Sequence, residues 1–205
     1  TSSSNDLFLA KYTGNGQLSW AFLIKDGGFG SYPTKITIDN SGNLYVAADG
    51  FIYPSTDFDP GPGTFTLNAI GKRSCILAKY TSNGQFLWVK PITATPMNGL
   101  ILPYELAISN NEPVLACTSI SVTAIYPNAA SSTFSINTNY SYNGLLVKYN
   151  SSGQFQWSKL LGGNLNEWLT DIATDNTGNI YATGVFYSDS VDFKPTSGSF
   201  YLKNK

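Results

Sequence analysis

Apolar and polar residues alternate along this chain in short runs, and the runs come in pairs. Pro33-Thr34-Lys35-Ile36-Thr37-Ile38-Asp39 alternates with period two, the signature of a half-buried strand. Asn40-Ser41-Gly42-Asn43 follows as a turn, because Asn and Gly reach positive φ cheaply and Asp39 accepts bonds from the turn backbone. Leu44-Tyr45-Val46-Ala47-Ala48 reads as a second strand. After a long loop, Ser74-Cys75-Ile76-Leu77-Ala78-Lys79-Tyr80 and Gln85-Phe86-Leu87-Trp88-Val89-Lys90 read as a hairpin around Thr81-Ser82-Asn83-Gly84. A second set runs Tyr104–Ile108, Val114–Cys117, Gly144–Lys148 and Phe155–Lys159. A third begins at Thr170–Asp175 and Ile180–Gly184. No apolar stripe of helical period has useful length.

The hairpin is spelled three times. Lys11-Tyr12…Asn15-Gly16-Gln17…Trp20 returns as Lys79-Tyr80…Asn83-Gly84-Gln85…Trp88, then as Lys148-Tyr149…Gly153-Gln154…Trp157. The tryptophans stand 68 and 69 residues apart, so the repeats run over about 1–68, 69–137 and 138–205. The segments Asp6–Tyr12 and Gln17–Phe22 are a third and fourth strand lacking a first and second, whereas the last repeat has a first and second lacking a third and fourth. The expected fold is all-β: a β-propeller of four-stranded antiparallel blades, its last blade shared between N- and C-terminal strands. A closed ring takes four to eight blades. A three-blade segment, 1–205, is therefore expected to belong to a larger propeller or to self-associate.

The Lys-Tyr…Asn-Gly-Gln…Trp hairpins, Asp57-Phe58-Asp59-Pro60-Gly61 and Asp39-Asn40-Ser41-Gly42-Asn43-Leu44-Tyr45-Val46 together resemble the bacterial SBBP β-propeller repeat. The resemblance implies a module of a secreted or cell-surface protein of Bacteroidetes-like bacteria. It implies no particular activity.

Composition narrows the chemistry. Charged residues make up 12% and the net charge is −1, with no basic cluster, so nucleic acid is not an expected partner. No apolar run is long enough to span a membrane, and the first residues show no leader sequence. The chain has no histidine, which removes the commonest general base and His-ligated zinc. Cys75 and Cys117 read as small buried hydrophobes rather than a bridge.

Asp57 and Asp59, two apart among Pro and Gly, suit a hard cation such as Ca²⁺. Comparing copies favours turn chemistry instead: Pro60, Pro127 and Pro195 recur and the apolar centre recurs as Phe58, Ile125 and Phe193, whereas the acids do not persist. Lys11, Lys79 and Lys148 with Trp20, Trp88 and Trp157 read as a repeated stabilising pair. With a four-residue turn, Leu9 would face Trp20 and Lys11 would reach the indole diagonally, as a cation–π contact. Asp39 and Asp175 read as turn caps. Gly27-Gly28-Phe29-Gly30 lacks the Lys-Ser/Thr of a phosphate loop. Tyr53, Tyr126, Tyr140 and Tyr142 fall in polar loops and mark the expected interaction surface. The expected function is a non-catalytic scaffold, with no cofactor and with a protein or carbohydrate partner. A calcium-stabilised surface module is the alternative. A propeller hydrolase or lyase is the weaker reading, since the three glutamates and near-identical repeats offer no asymmetric cluster.

Overall fold

The computed structural model describes residues 5–25, 35–67, 72–95, 99–120, 123–126, 134–137, 141–194 and 198–204. Among them every regular element is a strand. In chain order these are β1 (Leu7–Tyr12), β2 (Leu18–Ile24), β3 (Lys35–Ile38), β4 (Leu44–Ile52), β5 (Lys72–Tyr80), β6 (Phe86–Thr95), β7 (Leu100–Ser109) and β8 (Glu112–Ile120). Then follow β9 (Thr123–Tyr126), β10 (Phe134–Asn137), β11 (Tyr142–Tyr149), β12 (Phe155–Leu161), β13 (Glu167–Thr174), β14 (Ile180–Phe186), β15 (Ser190–Asp192) and β16 (Tyr201–Lys203).

Among the described residues all pairings are antiparallel, and no sheet closes on itself. Among the described residues β1 pairs with β2 alone, and β13 with β14 alone. Between them lie a sheet ordered β10-β9-β6-β5-β4-β3 and one ordered β12-β11-β8-β7. The first has six strands instead of the expected four. Thr123–Tyr126, read from sequence as part of the long loop of the second repeat, forms β9 and pairs with β6 through Thr93↔Ile125. Tyr126 in β9 and Tyr142 in β11 therefore sit in strands and not in loops, while Pro127, Pro195 and Tyr140 lie outside the described residues, as does Gly27–Gly30.

The repeated hairpins fold alike for a local reason. Thr13, Thr81 and Asn150 each donate a backbone N–H to the carbonyl of Gln17, Gln85 and Gln154 at 2.9, 2.8 and 2.9 Å. Their side-chain oxygens accept the N–H of the same Gln residues. The turn closes through Gly16, Gly84 and Gly153 at φ of 83°, 80° and 76°, where a Cβ is strained. A bulge follows, so Lys11 pairs directly with Trp20, Tyr12 with Leu18 and Leu9 with Phe22. The register inferred from sequence omitted this bulge. The first turn of the second repeat is also one residue shorter: Ser109 pairs with Glu112 across Asn110 and Asn111, both at positive φ.

Successive sheets stack through three apolar layers. Leu7, Leu9 and Ile24 of the first hairpin pack on Val46, Ile76, Ala78 and Tyr80. The opposite face of that sheet, with Tyr45, Cys75 and Leu77, meets Leu106, Leu115, Cys117 and Val147. Val114 and Ala116 then meet Leu169 and Ile172. The two half-sheets therefore sit at opposite ends of the stack.

Candidate functional site

The Lys–Trp pairs lie at the junctions between sheets. Lys11 Nζ and Trp20 Nε1 both donate to the Ser82 carbonyl, at 3.0 and 3.2 Å. Lys79 Nζ and Trp88 Nε1 both donate to the Ser151 carbonyl, at 3.3 and 3.2 Å. Each acceptor is on the hairpin tip of the next repeat. The indoles also cover the tip glycines: a Cβ on Gly84 would lie 3.2 Å from Trp20, and one on Gly153 would lie 2.9 Å from Trp88. In place of a lysine–indole cation–π contact, lysine and indole share one carbonyl across the junction. Among the described residues, Lys79 sits over a tyrosine ring, 4.7 Å from the centre of Tyr45.

Lys79 also closes a buried ion pair with Asp39 at 3.3 Å. Asp39 Oδ1 accepts the N–H groups of Ser41 and Asn43, and Oδ2 accepts the Asn43 amide. Burial pushes the Asp39 carboxyl upward, but the Asn43 bonds and Lys79 outweigh it and leave the pKa below its usual 3.8. In the second repeat Ser109 stands where Asp39 stood, and Lys148 pairs with Glu112 at 2.9 Å. The charge has moved along the turn to keep the lysine neutralised. Asp175 caps its turn in the same manner as Asp39, through Thr177 and Asn179, and these bonds depress its pKa.

Asp57 and Asp59 are occupied by backbone. Asp57 Oδ1 accepts from Asp59 N at 3.0 Å and Phe65 N at 2.8 Å, and Asp59 Oδ1 accepts from Gly61 N at 2.8 Å. Phe58 is buried in the core, and its carbonyl accepts the Tyr80 hydroxyl at 3.0 Å. Asp192 repeats the arrangement with Lys194 N and Phe200 N, both at 2.8 Å. Among the described residues no three His, Cys, Asp or Glu side chains cluster as a metal site would require. Glu167 is buried and accepts from Gly163 N and from Ser188. Cys75 and Cys117 are free buried thiols in one apolar layer, where contact with Cys117 and then burial push the Cys75 thiol pKa up.

Of the expected interaction tyrosines, Tyr53 is exposed and Tyr142 is half-buried. Tyr142 lies 5.5 Å from Trp168, which meets Tyr187 edge-on at 5.4 Å. Asn166 ties this group together, accepting from Tyr142 N through its side chain and from Tyr187 N through its carbonyl. Sequence reading missed Trp168 and Tyr187, since they come from separate segments outside the repeated motif.

The SBBP β-propeller repeat model matches residues 156–190. The chain is 25% identical over 187 residues to an uncharacterized WD repeat-containing protein of Acanthamoeba polyphaga mimivirus. That match covers 80% of this chain but 13% of the viral protein. Both similarities support an all-β repeat of propeller type.

Proposed function

We propose that the chain is a non-catalytic scaffold of propeller type from a secreted or cell-surface protein, presenting an aromatic face to a protein or carbohydrate partner. On this reading β3–β6 and the sheet of β7, β8, β11 and β12 are whole blades, and the two outer hairpins are halves of others. The observation that carries it is recurrence. The polar side chains a catalytic site would need are engaged in copies of one architectural device, the carboxylates on turn amides and lysines and the lysines on hairpin carbonyls. A catalytic centre instead needs unlike groups in different roles converging on one point.

Tyr142, Trp168 and Tyr187 break the repeat, as a binding site does. Aromatic side chains of this kind anchor interfaces because they present large apolar area with a polar tip. A glycan array and a panel of purified surface proteins, probed with the chain, should give a ligand that Trp168→Ala and Tyr142→Ser both lose. Undiminished binding by both variants would move the site to Tyr53 or elsewhere.

A further inference from the structure

We infer that Cys75 and Cys117 are a dithiol that oxidises to an inter-sheet disulfide, closed while the chain folds and sealed once the two large sheets dock. The pair sits between those sheets and does not depend on the scaffold reading above.

The fold sets the two thiols against each other. Cys75 lies on β5, opposite Asp49 of β4 and Ile92 of β6. Cys117 lies on β8, opposite Pro103 of β7 and Leu145 of β11. Each is therefore on an inner strand of its sheet. Both are fully buried and enter one apolar layer with Tyr45, Leu77, Leu115 and Val147. Within that layer the thiols touch. The chain has two cysteines among 205 residues. A buried residue touches about 6–12 others, so a second cysteine placed at random would meet the first about one time in twenty or fewer.

The other junctions show that the two positions face each other directly. Leu7, Cys75 and Gly144 each stand five residues before a hairpin tyrosine, Tyr12, Tyr80 or Tyr149. Ala48 and Cys117 each pair with the residue four before Tyr80 or Tyr149. Gly184 follows the turn cap Asp175 by nine residues, as Ala48 follows Asp39. The first junction fills this spot with Leu7 and Ala48, which share one packed cluster. The last fills it with Gly144 and Gly184, which line one cleft. The central junction fills it with the two cysteines. Leu and Ala together bring five side-chain carbons, whereas a cystine brings two carbons and two sulfurs, so a bridge asks for no more room than the neighbouring junction provides. Facing sheets lie about 10 Å apart, a gap that the inter-sheet disulfide of immunoglobulin domains spans.

The oxidant is a low-molecular-weight disulfide. One cysteine thiolate attacks a sulfur of the reagent; that S–S bond breaks, one small thiol leaves, and a mixed disulfide remains on the protein. The second cysteine thiolate attacks the protein-bound sulfur and releases the second small thiol. The two protein thiols lose two electrons and two protons, and the reagent gains both to become two thiols. In the docked structure neither sulfur meets solvent, and contact with Cys117 and burial hold Cys75 protonated. Exchange therefore belongs to the stage before the sheets close on each other, and the finished bridge is out of reach of reductant for the same reason. The cysteines stand 42 residues apart, so a bridge removes substantial chain entropy from the unfolded state.

The test is refolding. Chain unfolded and reduced, then refolded with reduced and oxidised glutathione, should lose both titratable thiols and weigh two hydrogens less, with no cross-link between chains. Refolded with a reductant, it should keep both thiols. The bridged form should melt about 5–15 °C above the reduced form. Oxidised glutathione added after folding should leave the reduced form unchanged. Cys75→Leu/Cys117→Ala, which copies the first junction, should fold and melt alike from both buffers. Two thiols persisting at every glutathione ratio would overturn the inference. So would cross-links between chains only, a bridged form that melts no higher than the reduced one, or prompt bridging of the folded reduced chain.

Discussion

The indole-over-glycine junction can be measured by adding one methyl group. Gly153→Ala places a Cβ at φ of 76°, 2.9 Å from both the Trp88 ring and Lys90 Cε. Two costs add. A non-glycine residue in the left-handed region costs about 1–2 kcal/mol. Pressing a methyl into a packed ring adds about 1–3 kcal/mol. Gly198 isolates the first cost: its φ is 75°, and a Cβ there would meet nothing closer than Lys194 Nζ at 3.9 Å. Gly84 lies between them, with Trp20 at 3.2 Å. Gly198→Ala should therefore lose about 1–2 kcal/mol, and Gly153→Ala about 2–5 kcal/mol. For a domain of this size each kcal/mol shifts Tm by about 2–4 °C. Urea denaturation followed by circular dichroism gives the free energies, and calorimetry the Tm values. Trp88→Leu combined with Gly153→Ala should recover the packing part, as a positive coupling in a double-mutant cycle. Equal losses at Gly198, Gly84 and Gly153 would refute the claim that the indole contact holds neighbouring sheets together.

Lys79→Met strands the buried Asp39 carboxylate and should cost about 3–5 kcal/mol, whereas Lys148→Met, beside the more exposed Glu112, should cost about 1 kcal/mol by the same denaturation assay. Asp39 has a folded pKa below 3.8, so its contribution is fully present above that value and is lost as pH falls through the folded pKa. Asp39→Asn should flatten the acid limb of the stability–pH curve below about pH 4, and an unchanged limb would deny Asp39 that role. Asp57 spends its Oδ1 on two backbone amides, so melts with Ca²⁺ and with EDTA should superimpose, and Asp57→Ala should lower Tm equally in both. A calcium-dependent rise in Tm that Asp57→Ala abolishes would reinstate the cation. Cys75 and Cys117 should resist a thiol reagent until the protein unfolds, and prompt labelling would show that their shared layer opens.

What the sequence made legible was local. Turn chemistry sits within five residues, so Thr81–Gln85 and Asp39–Asn43 could be recognised from spelling alone. Copy-against-copy comparison marked Phe58 as core and the Pro60–Gly61 segment as a turn, because packing recurs; it passed over the capping role that Asp57 and Asp192 share, since Ala124 in the second copy hides that recurrence. The bulge after Lys11 was not legible, since it depends on Gly16 turning left-handed and shifting the partner strand by one. β9 was missed because its pairing partner, β6, belongs to the preceding set of four strands. Glu112 could not be assigned as the lysine partner from sequence, because the shortened turn at Asn110–Asn111 moves the acid three positions along. Trp168 and Tyr187 meet across the β13–β14 pairing, and Tyr142 joins them through the stacking of β11 on that hairpin.

The interleaving of β7 and β8 between β6 and β9 separates two kinds of boundary that usually coincide in tandem proteins. The sequence divides into units near residue 69 and residue 138, but the six-stranded sheet draws β3 and β4 from the first unit and β5, β6, β9 and β10 from the second. Cutting near residue 69 would therefore part β4 from β5, and cutting near residue 138 would part β8 from β11. Modules exchanged in evolution or by engineering should instead be severed between β2 and β3 or between β12 and β13, where no described strand pairing is cut and the two large sheets travel together.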